Sequence, residues 1–202
     1  NQVRNRFMNQ VLKSDISLHC ILGNHDVYYR NTNKINSMKE LFDEDLIVYE
    51  SPQVVNFDGL DIAFLPWMNK ENHDESINFI KTAAAPILIG HLELNGYQVM
   101  RGIDYHGPDG MDPSIFDRFE QVISGHFHCR QEKGNIYYLG TQYQITFADL
   151  NEIKGFHILD TETRELEFIE NPYKMFHTIT YNDKDELLDV DVSKYSYLEN
   201  AY

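Results

Sequence analysis

Apolar residues in this chain come in short runs that glycine, proline or a polar cluster cuts off, and two spacings recur. In residues 4–13, Phe7, Met8, Val11 and Leu12 share one side of a 3.6-residue period, which predicts an amphipathic helix. The apolar run 16–22 reads as a buried strand stopped by Gly23. Residues 31–36 are polar, and Ser37 is expected to cap a short helix through Leu41 and Phe42. Strand patterns follow at 46–49, 53–57 and 60–65, with Asp58-Gly59 as hairpin chemistry and Pro66 ending the last. A helix is predicted over 71–82 and a second buried strand over 85–91. Residues 94–112 show no clean period and read as a long functional loop. Further strands are predicted at 121–124, 136–139, 155–159, 166–169 and 175–181. This alternation of helical and strand patterns predicts an α/β fold. From Asp183 onward the text turns acidic and less apolar, and a boundary near Asn171-Pro172 divides the chain into a domain of residues 1–171 and a further region of residues 172–202.

Three of the apolar runs end in the same punctuation: Gly23-Asn24-His25-Asp26, Gly90-His91 and Gly125-His126-Phe127-His128. A glycine at a strand tip is expected to let the backbone turn sharply and project the side chains that follow. Carboxyl ends of strands in open α/β sheets are where ligands usually sit. In an extended segment residues i and i+2 point the same way, so His126 and His128 are expected to face one site. Two neutral imidazoles and an amide oxygen suit a borderline ion such as Mn²⁺, Fe²⁺ or Zn²⁺, and the lack of cysteine ligands argues against structural zinc. Asp26 is placed to orient His25. The other histidines lack this setting. His19, His73, His157 and His177 read as sheet or helix-face residues, while His106, in the glycine-rich loop, stays open.

Length and composition narrow the function classes. At 202 residues, 42% hydrophobic and 13% aromatic, the chain can bury a real core. No apolar run approaches the roughly 18 residues of a membrane span. Cys20 and Cys129 form neither a disulfide framework nor a zinc spacing, so a reducing, cytoplasmic setting is expected. The net charge of −15 is awkward for gripping DNA unless a partner chain supplies basic surface. Residues 160–202 carry 4 basic and 11 acidic side chains, so the acidity is concentrated there. The first residues, Asn1-Gln2-Val3-Arg4, lack a methionine start and resemble the middle of a helix, so the chain reads as a fragment with its amino terminus missing.

The ordered motifs resemble the calcineurin-like metallophosphoesterase superfamily. More narrowly they are similar to the SbcD-type DNA repair nucleases, and most to the recombination endonuclease subunits of T-even phages. The strings that narrow the resemblance are Leu65-Pro66-Trp67-Met68, Gly90-His91-Leu92-Glu93-Leu94-Asn95-Gly96, Ser124-Gly125-His126-Phe127-His128 and Tyr138-Leu139-Gly140-Thr141. The resemblance implies a four-layer α/β/β/α sandwich, truncated at its amino end, whose sheet shows one stripped edge. It implies two divalent ions, usually Mn²⁺, with Asn24, His91 and His126 on one and His128 on the other. His25 would act on the phosphate or the leaving oxygen, with Asp26 behind it. Two cations that clamp a phosphodiester also activate water, and a histidine free of metal keeps the proton that a leaving alkoxide needs. Implied partners are DNA, an SbcC-like coiled-coil ABC ATPase and a second copy of the protein, with no membrane involved and, for a phage protein, a place in the host cytoplasm. The chain departs from the family pattern in one respect: neither Asp-x-His nor Gly-Asp occurs among the 23 residues before Asn24. Residues 172–202 would begin a capping region. Three functions stay open: a metal-dependent DNA nuclease subunit, a phosphoesterase acting on a small phosphate ester, and a non-catalytic scaffold for the ATPase.

Overall fold

The computed structural model describes residues 4–29, 31–42 and 45–178. A π-helical turn (Arg4–Met8) runs into a short helix α1 (Asn9–Val11), followed by β1 (His19–Ile21), α2 (Ser37–Phe42), β2 (Ile47–Tyr49), β3 (Gln53–Phe57) and β4 (Leu60–Leu65). Then come α3 (His73–Thr82), β5 (Ile87–Gly90), the short pair β6 (Gln98–Met100) and β7 (Ile103–Asp104), and β8 (Gln121–Ser124). The chain continues with β9 (Gln131–Lys133), β10 (Ile136–Tyr138), β11 (Gly155–Leu159) and β12 (Leu166–Glu170). Single 3₁₀ turns lie at Pro113–Phe116 and Phe147–Asp149.

A six-stranded sheet in the order β3-β4-β5-β8-β10-β9 organises the chain. Its four inner strands run parallel, and β3 and β9 close the two edges antiparallel. Both faces are buried, and the two-residue strand period sorts side chains between them. Leu60, Ile62, Phe64, Ile87 and Ile123 enter one core with Tyr49, while Ala63, Leu65, Leu88 and Val122 enter the other. That second core is covered by Ile80 and Ala83 at the end of α3, and by Phe116, Phe119 and Tyr138. The first is covered by Ile21 and Tyr49 of the parallel pair β1–β2, and by Leu159 and Leu166 of the antiparallel pair β11–β12. Each fully buried aliphatic side chain contributes about 1.5–3 kcal/mol. Among the described residues β1–β2 and β11–β12 stand as two separate pairs, not one continuous second sheet.

The hairpin β3–β4 turns at Asp58 and Gly59 (φ 51° and 93°), the two left-handed positions of a type I′ turn. Other expectations are corrected. The amino-terminal helix does not bury one continuous face: Met8 is buried, but Phe7 and Leu12 are exposed, because the wider π turn breaks the 3.6-residue register. Ser37 does not cap α2. Asn36 does, its Oδ1 accepting from the Lys39 amide at 2.8 Å while its Nδ2 donates to Asn33 O and Glu50 Oε1. The long loop 94–112 contains the β6–β7 pair, anchored by buried Leu94 and Tyr97 and by Asn95, which bonds the Gly107 amide and the Gly110 carbonyl. Residues 175–178 form no strand; the Met175 and Phe176 amides both donate to Gln144 Oε1 instead of to a ladder. The rest of that predicted strand lies outside the described residues.

Candidate metal centre at the strand tips

Register brings the punctuated strand ends together. Leu65, Gly90, Ser124 and Tyr138 sit abreast across β4, β5, β8 and β10, so Trp67, His91 and His126 emerge along one sheet edge. The Trp67 amide donates to Leu22 O at 2.8 Å, which ties the tip of β1, and the residues after it, to the same edge. Asn24 and His91 come from different layers, yet Asn24 Oδ1 lies 3.0 Å from His91 Nε2. His126 Nδ1 lies 3.2 Å from the same nitrogen. Trp67 stands beside both rings, with centroids 5.9 Å from His91 and 5.4 Å from His126.

The glycine at the first tip serves a different end from the one its sequence context suggests. Gly23 holds no positive φ; a Cβ there would lie 2.8 Å from the His91 ring, so its hydrogen makes room for the imidazole. The left-handed residue at this edge is His126, at φ 83°. A non-glycine residue in that region costs about 1–3 kcal/mol, and such strain collects at functional sites. It also breaks the extended geometry on which paired i, i+2 side chains depend, and residues 126–129 form a bend with Phe127 buried. His126 therefore lines the cleft and His128 does not.

Around this edge lies a cleft of about 620 Å³, lined among others by Asn24, His25, Trp67, His91, Glu93 and His126. Burial, reinforced by the neighbouring His126 and His25, pushes His91 down to about 4. Burial also lowers His126, against the pull of the Glu93 carboxylate and with the help of His25 and His128. Both rings are therefore neutral at neutral pH, the form that ligates cations. His25 is exposed within the cleft. The Asp26 carboxylate turns back on its own loop, where Oδ2 accepts from the Gly23 amide at 2.7 Å and fixes the turn that carries Asn24 and His25.

The donor set fits a cation. Bonds of about 2.1 Å meeting at right angles put neighbouring donors about 3 Å apart, which matches both measured edges. Among the described residues no three His, Cys, Asp or Glu side chains are grouped to hold an ion, so the set depends on the Asn24 amide. Sequence reasoning assigned no role to Trp67 or Glu93, although both stand in the motif strings, and Glu93 follows His91 by two. Lys70, just before α3, and His73, the first residue of α3 and exposed on its face, also line the cleft. Among the described residues no helix is long and apolar enough to cross a membrane.

No family model matches the chain. It is 39% identical over 174 residues to exonuclease subunit 1 of Enterobacteria phage T4, covering 85% of this chain and 50% of that protein. It is 24% identical over 182 residues to the SbcD component of nuclease SbcCD from Staphylococcus saprophyticus, covering 86% of this chain and 44% of that protein. With the corresponding SbcD component from Staphylococcus epidermidis it shares 32% identity over 107 residues, 44% of this chain and 29% of that protein. The chain thus spans about half, or less, of the length of the curated relatives it matches. The phage match in particular covers most of the chain at 39% identity, and the chain belongs to the SbcD-type family that the phage T4 and staphylococcal proteins represent.

Proposed function

We propose that this chain forms the metal-binding centre of a DNA-cleaving phosphodiesterase subunit in an SbcCD-like recombination and repair complex. The observation that carries this reading is the convergence of Asn24, His91 and His126 within 3.0–3.2 Å contacts at one sheet edge. The phage and staphylococcal relatives, an exonuclease subunit and two D subunits of nuclease SbcCD, support the nuclease chemistry and an SbcC-like partner subunit. In this proposal the fold belongs to a four-layer metallophosphoesterase sandwich over residues 1–171, followed by a capping region from residue 172, in a protein that acts as a homodimer in the cytoplasm. Asn24, His91 and His126 hold one divalent ion, and His128 belongs to a second. Two such ions, Mn²⁺ in this proposal, supply positive charge to the phosphodiester and activate the attacking water.

The chain's own residues do the rest. The Asp26–Gly23 bond sets the loop so that Asn24 turns toward His91 while His25 stays free in the cleft. His25 then donates a proton to the leaving oxygen or stabilises charge on the phosphate. Neutral His91 and His126 keep their nitrogen lone pairs for the cation. The net charge of −15 favours a second reading, a phosphoesterase acting on a small ester that needs no basic track. The deciding experiment compares cleavage of linear DNA with hydrolysis of a small aryl phosphodiester, with Mn²⁺ and with chelator. DNA cleavage that needs Mn²⁺ and the ATPase partner supports the first reading, and turnover of the small ester alone supports the second. Activity that survives full chelation sinks both.

A further inference from the structure

Behind the His126–His128 bend lies a buried cluster that the proposed chemistry does not use. The Lys154 side chain is 3% exposed, and its ammonium donates to Glu152 Oε2 at 2.6 Å and pairs with Asp149 Oδ1 at 2.9 Å. Its third partner is the main-chain oxygen of His128, at 2.8 Å. Asp149 is itself fixed, because its Oδ2 accepts from the Ile145 and Thr146 amides, each at 2.9 Å. The bend is held from the other side as well. The Thr141 amide donates to the same His128 oxygen at 3.3 Å. Gly140, at φ 71°, packs so closely that a Cβ would lie 2.9 Å from both the His128 oxygen and the Arg130 nitrogen. The string Leu139-Gly140-Thr141 thus meets Lys154 at one carbonyl.

Burying an ammonium between two carboxylates is a poor route to stability, since apolar side chains of similar volume often serve as well or better. Its three donors are, however, what it takes to fix a main-chain carbonyl in a bend that includes a strained residue. We propose that Lys154, clamped by Asp149 and Glu152, is the positioning residue of the His126–His128 bend: it holds the His128 carbonyl and thereby sets where each of the two histidines stands toward its own ion. The link to the cation rests on the metal-centre reading above; the hold on the bend does not.

Two variants of the full chain separate positioning from mere folding. Asp149→Asn leaves Lys154 bonded to His128 and Glu152, whereas Lys154→Met with Asp149→Asn removes the strut without leaving Asp149 unpaired. Amide exchange at Thr141, whose amide is bonded to the His128 oxygen, is expected when read without metal to accelerate at least about 10-fold in the double variant and little in the single one. Mn²⁺ titration is expected to show the dissociation constant raised about 10- to 100-fold in the double variant only, the range for losing a residue behind a ligand. If both variants change exchange and affinity alike, or the double variant changes neither, the strut is overturned. If wild type binds no Mn²⁺ while exchange in the double variant still accelerates, the strut stands as a structural device, and its service to the cation falls with the metal reading.

Discussion

Two kinds of histidine meet in the cleft. His91 and His126 are recessed, neutral at working pH and in contact with each other, whereas His25 is exposed. Their roles should separate in the full-length protein. His91→Ala or His126→Ala is expected to abolish binding of one ion, counted by Mn²⁺ titration. His25→Ala should keep both ions yet lower single-turnover cleavage of linear DNA by ~10²–10⁴-fold. Loss of an ion in that variant would make His25 a ligand, and an unchanged rate would leave leaving-group protonation to water. Asp26→Asn keeps an oxygen for the Gly23 amide. It should reduce activity while leaving metal occupancy near wild type, because the turn that aims Asn24 survives.

At the scale of elements, the site depends on parallel strands ending level and on glycine at the tip of β1. Leu88 is fully buried in the middle of β5, where it packs among the side chains beneath the cleft. Leu88→Ala is expected to cost about 2–5 kcal/mol in urea unfolding. The cap of α2 should matter too. Asn36 is 2% exposed and makes three hydrogen bonds, so Asn36→Ala should cost about 1–2 kcal/mol, which Ser37→Ala should not. Equal losses from the two variants would contradict the observed cap.

For the whole molecule, the Lys154–Asp149 pair makes a prediction about pH. Burial alone would raise the Asp149 carboxyl, but the Thr146 and Ile145 amides and the Lys154 ammonium outweigh it and hold it below its ordinary 3.8. Burial would likewise lower Lys154, yet Glu152 and Asp149 hold it above 10.5. A depressed carboxyl stabilises the fold fully above its unfolded value and loses that contribution as pH falls through the folded one. A raised ammonium contributes fully below 10.5 and loses its share as pH rises through the folded value. The pair therefore adds a stability plateau between about pH 4 and pH 10. In Asp149→Asn, where Lys154 keeps Glu152 as its partner, thermal unfolding across pH should show a shallower acid limb. An acid limb as steep as wild type's would assign acid sensitivity to other carboxylates.

The sequence by itself determined the strands that carry the site. The strands ending near Leu22, at Gly90 and at Ser124 and the Asp58-Gly59 turn were legible, because strand periodicity and turn chemistry are local, although the first strand is shorter than its apolar run and leaves Ile16 exposed; the grouping of Asn24, His91 and His126 came from the resemblance of the ordered motifs. What was not legible depended on chain segments far apart. Gly23 is needed for the ring of His91, 68 positions away in the chain. The cap of α2 falls to Asn36 because Glu50 and Asn33 hold it there. The left-handed turn at His126, which separates His126 from His128, was not legible, since only a few per cent of non-glycine residues adopt that backbone. Trp67, Glu93 and Lys154 took their places only when strand register and packing set which residues stand abreast. Periodicity fixes which residues enter a strand, whereas close packing of distant segments decides what stands at its tip.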